Sequence, residues 1–362
     1  MRLRSVWVLV AVMVLLLSVL VNANGAEPAE DLGETKGVRY VTLGEALEIA
    51  QENSTTLEIT RLSLQEAQFS YRQAEAAQIM QPSPTMLLQA QAGLDLARQN
   101  YLMGLDSLAL DVRSDFYNVL RLQNLLDIAQ EGLESAERHE DIAGKKLEVG
   151  TATRLDVIRA TRSVLDSQAG VSQARHSLEL TQMRFRQTLG LPLDAPVLPK
   201  DMDMTVEPAD IDLADDLAFA LENRDEVKQL QAAVEVARKN VELSDNDYTP
   251  VLTLEQAKIN LAKSELQLRQ VKELLALEIR QSYSALRDAE ERIPVLQKGV
   301  EEAEEMIRLS ELSYEADMIT STDLEDARIG LLAARNDYVN AVYDHNLAKV
   351  RYDYAVARAL RD

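Results

Sequence analysis

One apolar ladder with a step of seven occurs twice in this chain. Leu87, Leu94, Tyr101 and Leu108 form the first copy, and Leu254, Leu261, Leu268 and Leu275 repeat it 167 positions later. A large apolar residue at every seventh position lays one stripe along a helix, and that stripe must be buried against other helices. The offset holds far downstream: Glu148-Val149-Gly150-Thr151 falls on Glu315-Ala316-Asp317-Met318, and Asp156 falls on Asp323. Small residues alternate with the large ones, Ala90, Ala97 and Gly104 in one copy, Ala257 and Ser264 in the other, and let helices approach closely. The predicted fold is all-α, a duplicated set of long antiparallel helical hairpins.

Composition narrows the functions open to such a fold. The chain has no cysteine, which removes disulfides, thiolate catalysis and cysteine metal sites together. A formal net charge of −22, with no basic stripe interrupting it, argues against a nucleic-acid partner. A well-solvated exterior accounts for that charge.

Arg2 and Arg4 precede an apolar run from Ser5 to Val21, and Val21-Asn22-Ala23 has the form of a peptidase site. Residues 1–23 read as a signal peptide, with an uncleaved anchor as the alternative; no cysteine follows for a lipid anchor. Residues 24–40 read as a flexible segment, 41–190 as the first helical repeat, 191–210 as a proline-rich linker and 211–362 as the second repeat. Thr42 and Glu45 form a capping box at the first helix. In that opening region the offset is 170, with Leu43, Leu47, Ala50, Asn53 and Ala67 matching Leu213, Leu217, Ala220, Asn223 and Ala237. Long helices are predicted over about 86–149, 154–189, 251–316 and 321–360. The first would be roughly 95 Å long. Pro294 is expected to kink its helix, and Met204-Thr205-Val206 to form a short strand.

Several phrases together resemble the TolC-like outer-membrane efflux protein family. They are Leu-x-x-Ala-Leu-x-x-Ala with a following Asn (Leu43 to Asn53), Leu-Gly-Leu-Pro-Leu-Asp (Leu189 to Asp194), Val149-Gly150-Thr151 followed by Asp156, and the duplication itself. The resemblance implies a homotrimer whose helices close into a hollow α-barrel. It implies an exit duct of a tripartite exporter, located in the cell envelope. Its partners would be a periplasmic adaptor and an inner-membrane pump of the ABC, RND or MFS type. The hairpin tips would then be adaptor contacts: Leu147, Val149, Gly150 and Thr151 in the first copy, Tyr314, Ala316, Asp317 and Met318 in the second. The second tip has Asp317 in place of the glycine. Asp323 and Asp326 fall on the family's aperture aspartates, and Asp156 matches in the first copy, where Arg159 takes the other position. The simpler readings are that Gly150 ends a helix and that Asp323 complements a helix N-terminus. Asp156 and Arg159 are expected to pair with each other or with the neighbouring tip.

The chain departs from the family at two joints. Members insert a hairpin of membrane-spanning strands between the short and long helices of each copy, and each strand needs about 9–11 residues. The joints here, about 78–86 and 248–253, are too short and do not alternate apolar with polar. The expectation is an α-barrel subunit without a transmembrane β-barrel, spanning wall or docking on a separate pore.

Catalytic, cofactor and metal constellations are missing. His139, His176 and His345 stand in no ligand spacing and read as surface residues of helices. Asp245-Asn246-Asp247 lacks the glycine and the glutamate of a calcium loop. An enzyme is therefore disfavoured. The remaining alternative to a duct is a coiled-coil spacer of the envelope with no lumen, which needs one packing seam where a duct wall needs two.

Overall fold

A computed structural model describes residues 38–80, 83–200, 206 and 211–358. The expected signal segment, residues 24–37 and the Met204-Thr205 part of the expected strand lie outside these, and Val206 is in no strand. Chain from Tyr40 onward forms one compact unit.

The elements are β1 (Arg39–Val41), α1 (Leu43–Asn53), α2 (Thr55–Met80), α3 (Pro84–Glu148), α4 (Arg154–Thr188), β2 (Val197–Pro199), α5 (Leu213–Asn223), α6 (Asp225–Ser244), α7 (Val251–Glu315) and α8 (Ser321–Ala355). Repetition is visible in the lengths. α1 and α5 have 11 residues each, α3 and α7 have 65, and α4 and α8 have 35. Helix ends follow local chemistry. The Thr42–Glu45 capping box forms as expected, with Thr42 N donating to Glu45 Oε2 at 2.7 Å. Pro84 stands in the first turn of α3 and Pro250 just before α7, positions that need no N–H donor. α7 continues across Pro294.

Within its own repeat each 65-residue helix packs mainly against two others. α3 packs against α2 in its first part and against α4 in its second; α7 does the same with α6 and α8. α3 also packs against α8 and α6, which joins the repeats. α4 buries a seven-step ladder of Val164, Val171, Leu178 and Phe185, and α7 separately buries Ile279, Leu286 and Ile293.

Two cores sit where the short helices meet the long ones. The first gathers Ala50, Val112, Phe116, Val119, Phe185 and Leu189 among others, closed by the pairing of β1 with β2. The second gathers Ala220, Ile279, Leu286, Tyr352 and Val356. These are the same positions: Val112, Val119, Phe185 and Leu189 return 167 residues later as Ile279, Leu286, Tyr352 and Val356. Full burial of each such side chain contributes about 1.5–3 kcal/mol. Replacing Phe185 by Tyr352 brings a hydroxyl into the core, which donates to the buried Asp216 at 2.6 Å. Burial, with Asp216 second, pushes the Tyr352 phenol well above its ordinary range.

Candidate functional site: the paired hairpin tips

Both tips have one backbone design. At the end of α3, Gly150 N donates to Leu147 O and Thr151 N to Lys146 O; at the end of α7, Asp317 N donates to Tyr314 O and Met318 N to Ser313 O. This pattern closes a helix only if the residue after the cap turns left-handed. Gly150 does so at φ 82° and Asp317 at φ 56°. The next helix starts in a capping box in each copy. Thr153 N and Oγ1 donate to Asp156 Oδ2 at 2.9 and 2.7 Å, and Thr320 N and Oγ1 donate to Asp323 Oδ2 at the same distances. Threonine hydroxyl bonds, then backbone bonds, hold both carboxyls below the usual carboxylate range.

The tips are tied to each other. Lys146 Nζ lies over the Tyr314 ring at 4.2 Å, donates to Tyr314 O, and reaches Asp317 Oδ1 at 2.6 Å. That ion pair compensates the left-handed turn in the copy that lacks glycine. Tyr314 is buried, tilted against His139 at 5.3 Å between ring centroids. His139 shares a 3.0 Å hydrogen bond with Ser321 Oγ, and its Nδ1 is buried without a partner. Burial, then the nearby Arg328 guanidinium, lowers the His139 pKa; Glu325 and Asp156 oppose this more weakly. Arg328, itself buried, donates to Gly132 O, Ser135 Oγ and Glu325. Ser163 Oγ donates to Glu325 at 2.7 Å, and Arg159 to Thr322 Oγ1 at 3.3 Å.

The expected site residues therefore divide. Leu147, Val149, Gly150 and Thr151, with Ala316, Asp317 and Met318, are exposed at the two turns, while Tyr314 supports the second turn from beneath. Asp323 and Asp326 are exposed on one face of α8, and Asp156 is half-buried. Asp156 and Asp323 both make the N-terminal bonds of the simpler reading. Arg159 reaches across to the neighbouring tip.

The reading of the histidines as surface residues needs correction: only His176 is exposed, while His139 and His345 are buried. Gly132, His139 and Lys146 form a seven-step row on the α3 face toward α8, and His345 continues the row Leu324, Leu331, Tyr338 toward Tyr352. Those rows were the available signal. Among the described residues no group of three or more His, Cys, Asp or Glu is placed to hold a metal ion.

A family model described as outer membrane efflux protein matches residues 85–191 and 251–353, which are the two long hairpins with their tips. The chain belongs to this outer membrane efflux protein family. Solved channels share the fold. VceC from Vibrio cholerae superposes with a TM-score of 0.72 at 15% identity, covering 87% of this chain and 95% of that one. The outer-membrane channel OprN gives 0.76 at 14%, covering 88% and 91%. The open state of MtrE from Neisseria gonorrhoeae gives 0.72 at 14%, covering 88% and 90%. No curated protein matches in sequence. As a family member the chain is a component of cell-envelope efflux. At the joints α2 ends at Met80 and α3 begins at Pro84, while α6 ends at Ser244 and α7 begins at Val251. Among the described residues the only strands are β1 and β2, and no helix is long and apolar enough to cross a membrane.

Proposed function

We propose that the chain is the exit duct of a tripartite exporter. Three copies close side by side around a passage, and the exposed tips meet an adaptor coupled to an inner-membrane pump of the ABC, RND or MFS type.

The observation that carries this reading is a second apolar stripe on each flanking helix. α4 buries Val164, Val171 and Leu178 inside the protomer, yet leaves Leu155, Ile158 and Leu165 exposed. α7 buries Ile279, Leu286 and Ile293, yet leaves Leu252, Ile259 and Leu266 exposed in a seven-step row. A spacer with one seam has no use for the second row, whereas a closed ring of helices covers it on the neighbouring copy. Family membership supports the same assembly, and the exposed Val149 and Met318 suit an apolar adaptor groove. Asp323 and Asp326 of three copies would ring the passage near its tip end and favour cations there.

Electron microscopy of the purified exported chain tests the assembly. Trimeric hollow tubes are expected; solid two-stranded rods would establish the spacer instead. For the aperture, Asp323→Ala combined with Asp326→Ala should raise conductance of the assembled tube, and unchanged conductance removes that role.

A further inference from the structure

One side chain of the first hairpin grips the turn of the second from both sides. The His139 ring packs on Tyr314 near the end of α7, with 5.3 Å between ring centroids, and shares a 3.0 Å hydrogen bond with Ser321 Oγ at the first position of α8. Residues 315–320 lie between these two contacts. Seven residues further along α3, Lys146 holds Tyr314 and Asp317. The counterpart of His139 in the second repeat is the exposed Met306, so this grip exists at one turn only.

The grip suits a neutral imidazole. His139, Tyr314 and Ser321 are buried, and His139 Nδ1 has no hydrogen-bond partner. A proton on the ring makes both nitrogens donors, which strands a buried N–H at Nδ1. The charges around the ring leave the added cation uncompensated. From α8, the buried Arg328 guanidinium repels it, and Glu325 is already bonded to Arg328 and Ser163. From α4, Asp156 is engaged in its capping box with Thr153, and Arg159 brings a further positive charge to Thr322. From α7, the Tyr314 ring already holds the Lys146 ammonium over its face, and Glu311 acts on Arg328. Burial, then Arg328, keeps the folded pKa of His139 below its ordinary value.

We propose that His139 is a proton-operated latch: acid releases the second turn from the first hairpin, while the first turn keeps its own structure. The open form binds a proton that the closed form resists, so opening is favoured as pH falls. Below about pH 6.5 the opening equilibrium of the second turn rises by about tenfold per pH unit, until the closed form itself takes up the proton. Asp317 and Met318, which the proposed duct would present to its adaptor, then leave the position that Lys146 and Tyr314 set. The latch lies within one chain and does not depend on assembly into a duct.

Hydrogen exchange of the exported chain, corrected for the pH dependence of intrinsic exchange, reads this opening amide by amide. Between about pH 7.5 and about pH 5.5 the Asp317 and Met318 amides should open about tenfold more often, with Gly150 and Thr151 unchanged. A flat profile at Asp317 and Met318 overturns the proposal before any variant is made. An equal rise at both turns also overturns it, and assigns the acid response to global opening through the buried His345. His139→Gln keeps a hydrogen-bonding side chain but cannot take up the proton, and should abolish the rise. His345→Gln should leave the difference between the turns intact. A difference that persists in His139→Gln, or that vanishes in His345→Gln, refutes the latch.

Discussion

The two repeats solve the same backbone problem with different residues. Each closes its hairpin, and each ends its last helix, with a left-handed residue. The first repeat uses Gly150 and Gly190; the second uses Asp317 and Ala357 at the matching positions. The difference is explained by what stands beside each turn. A Cβ on Gly190 would lie 2.3 Å from the backbone oxygen of Asn53, so no side chain fits. In the second repeat Arg224 takes the place of Ser54, and its guanidinium spans from the end of α5 to the carbonyls of Tyr354 and Ala355. At the tips, Gly150 turns freely, whereas Asp317 is held by Lys146 from the other hairpin. One repeat meets these demands with glycine and close backbone approach, the other with charge.

The sharpest way to break this contrast is Gly190→Ala. It should cost about 3 kcal/mol or more, because backbone must move and the φ of 71° stays unfavourable. Ala357→Gly should be neutral or stabilising by under about 1 kcal/mol, and denaturant midpoints compare the two. Next in size is Arg224→Ala, expected to cost about 2–3 kcal/mol by stranding buried carbonyls, against about 1 kcal/mol for Ser54→Ala, which removes a cap on Leu57 N. Lys146→Met should cost about 1 kcal/mol, discounted because Asp317 is largely exposed, and hydrogen exchange should quicken at Asp317 and Met318 but not at Gly150. Lys145→Met, whose ion pair with Asp141 is exposed, should do nothing measurable.

Gly150→Ala should cost under about 1 kcal/mol, since nothing lies within 4 Å of its added Cβ and only the φ is unfavourable. The mildest expectation concerns pH. His139 has Met306 as its counterpart, so only the first repeat titrates there. Its folded pKa is lowered, so the unfolded chain binds the proton more readily and stability falls as pH drops below about 6.5. His139→Gln should flatten that slope, leaving the part due to the buried His345, whose pKa is also lowered by burial. Asp156 and Asp323, with folded pKa values below the ordinary range, contribute alike above about pH 3.9 and lose that contribution as pH falls further. A tip-specific acid response in His139→Gln identical to that of the parent would remove the contrast.

Much of this architecture was legible in the chain because it is written in period and punctuation. The seven-step ladders and the proline positions placed the long helices to within about two residues at most ends. The predicted 321–360 stopped instead at Ala355, because Ala357 turns left-handed where nothing in its residue type demands it. The β1–β2 pairing was missed, since three-residue strands have no period to read. The tie between the tips was missed for another reason. Lys146 meets Asp317 only through the docking of α3 on α8, and the sequence separation of 171 hides that encounter. The buried histidines were misread because their type suggested surface although their places in the rows did not.

α3 and α7 are equal at 65 residues, and that equality is itself a constraint. Removing one residue from α3 alone would turn its far end by about 100° and draw it back by about 1.5 Å, swinging Lys146 away from Asp317. A matching deletion in α7 would let the two turns meet again. The halves are thus free to drift in spelling but are coupled in measure, each acting as the ruler against which the other is cut.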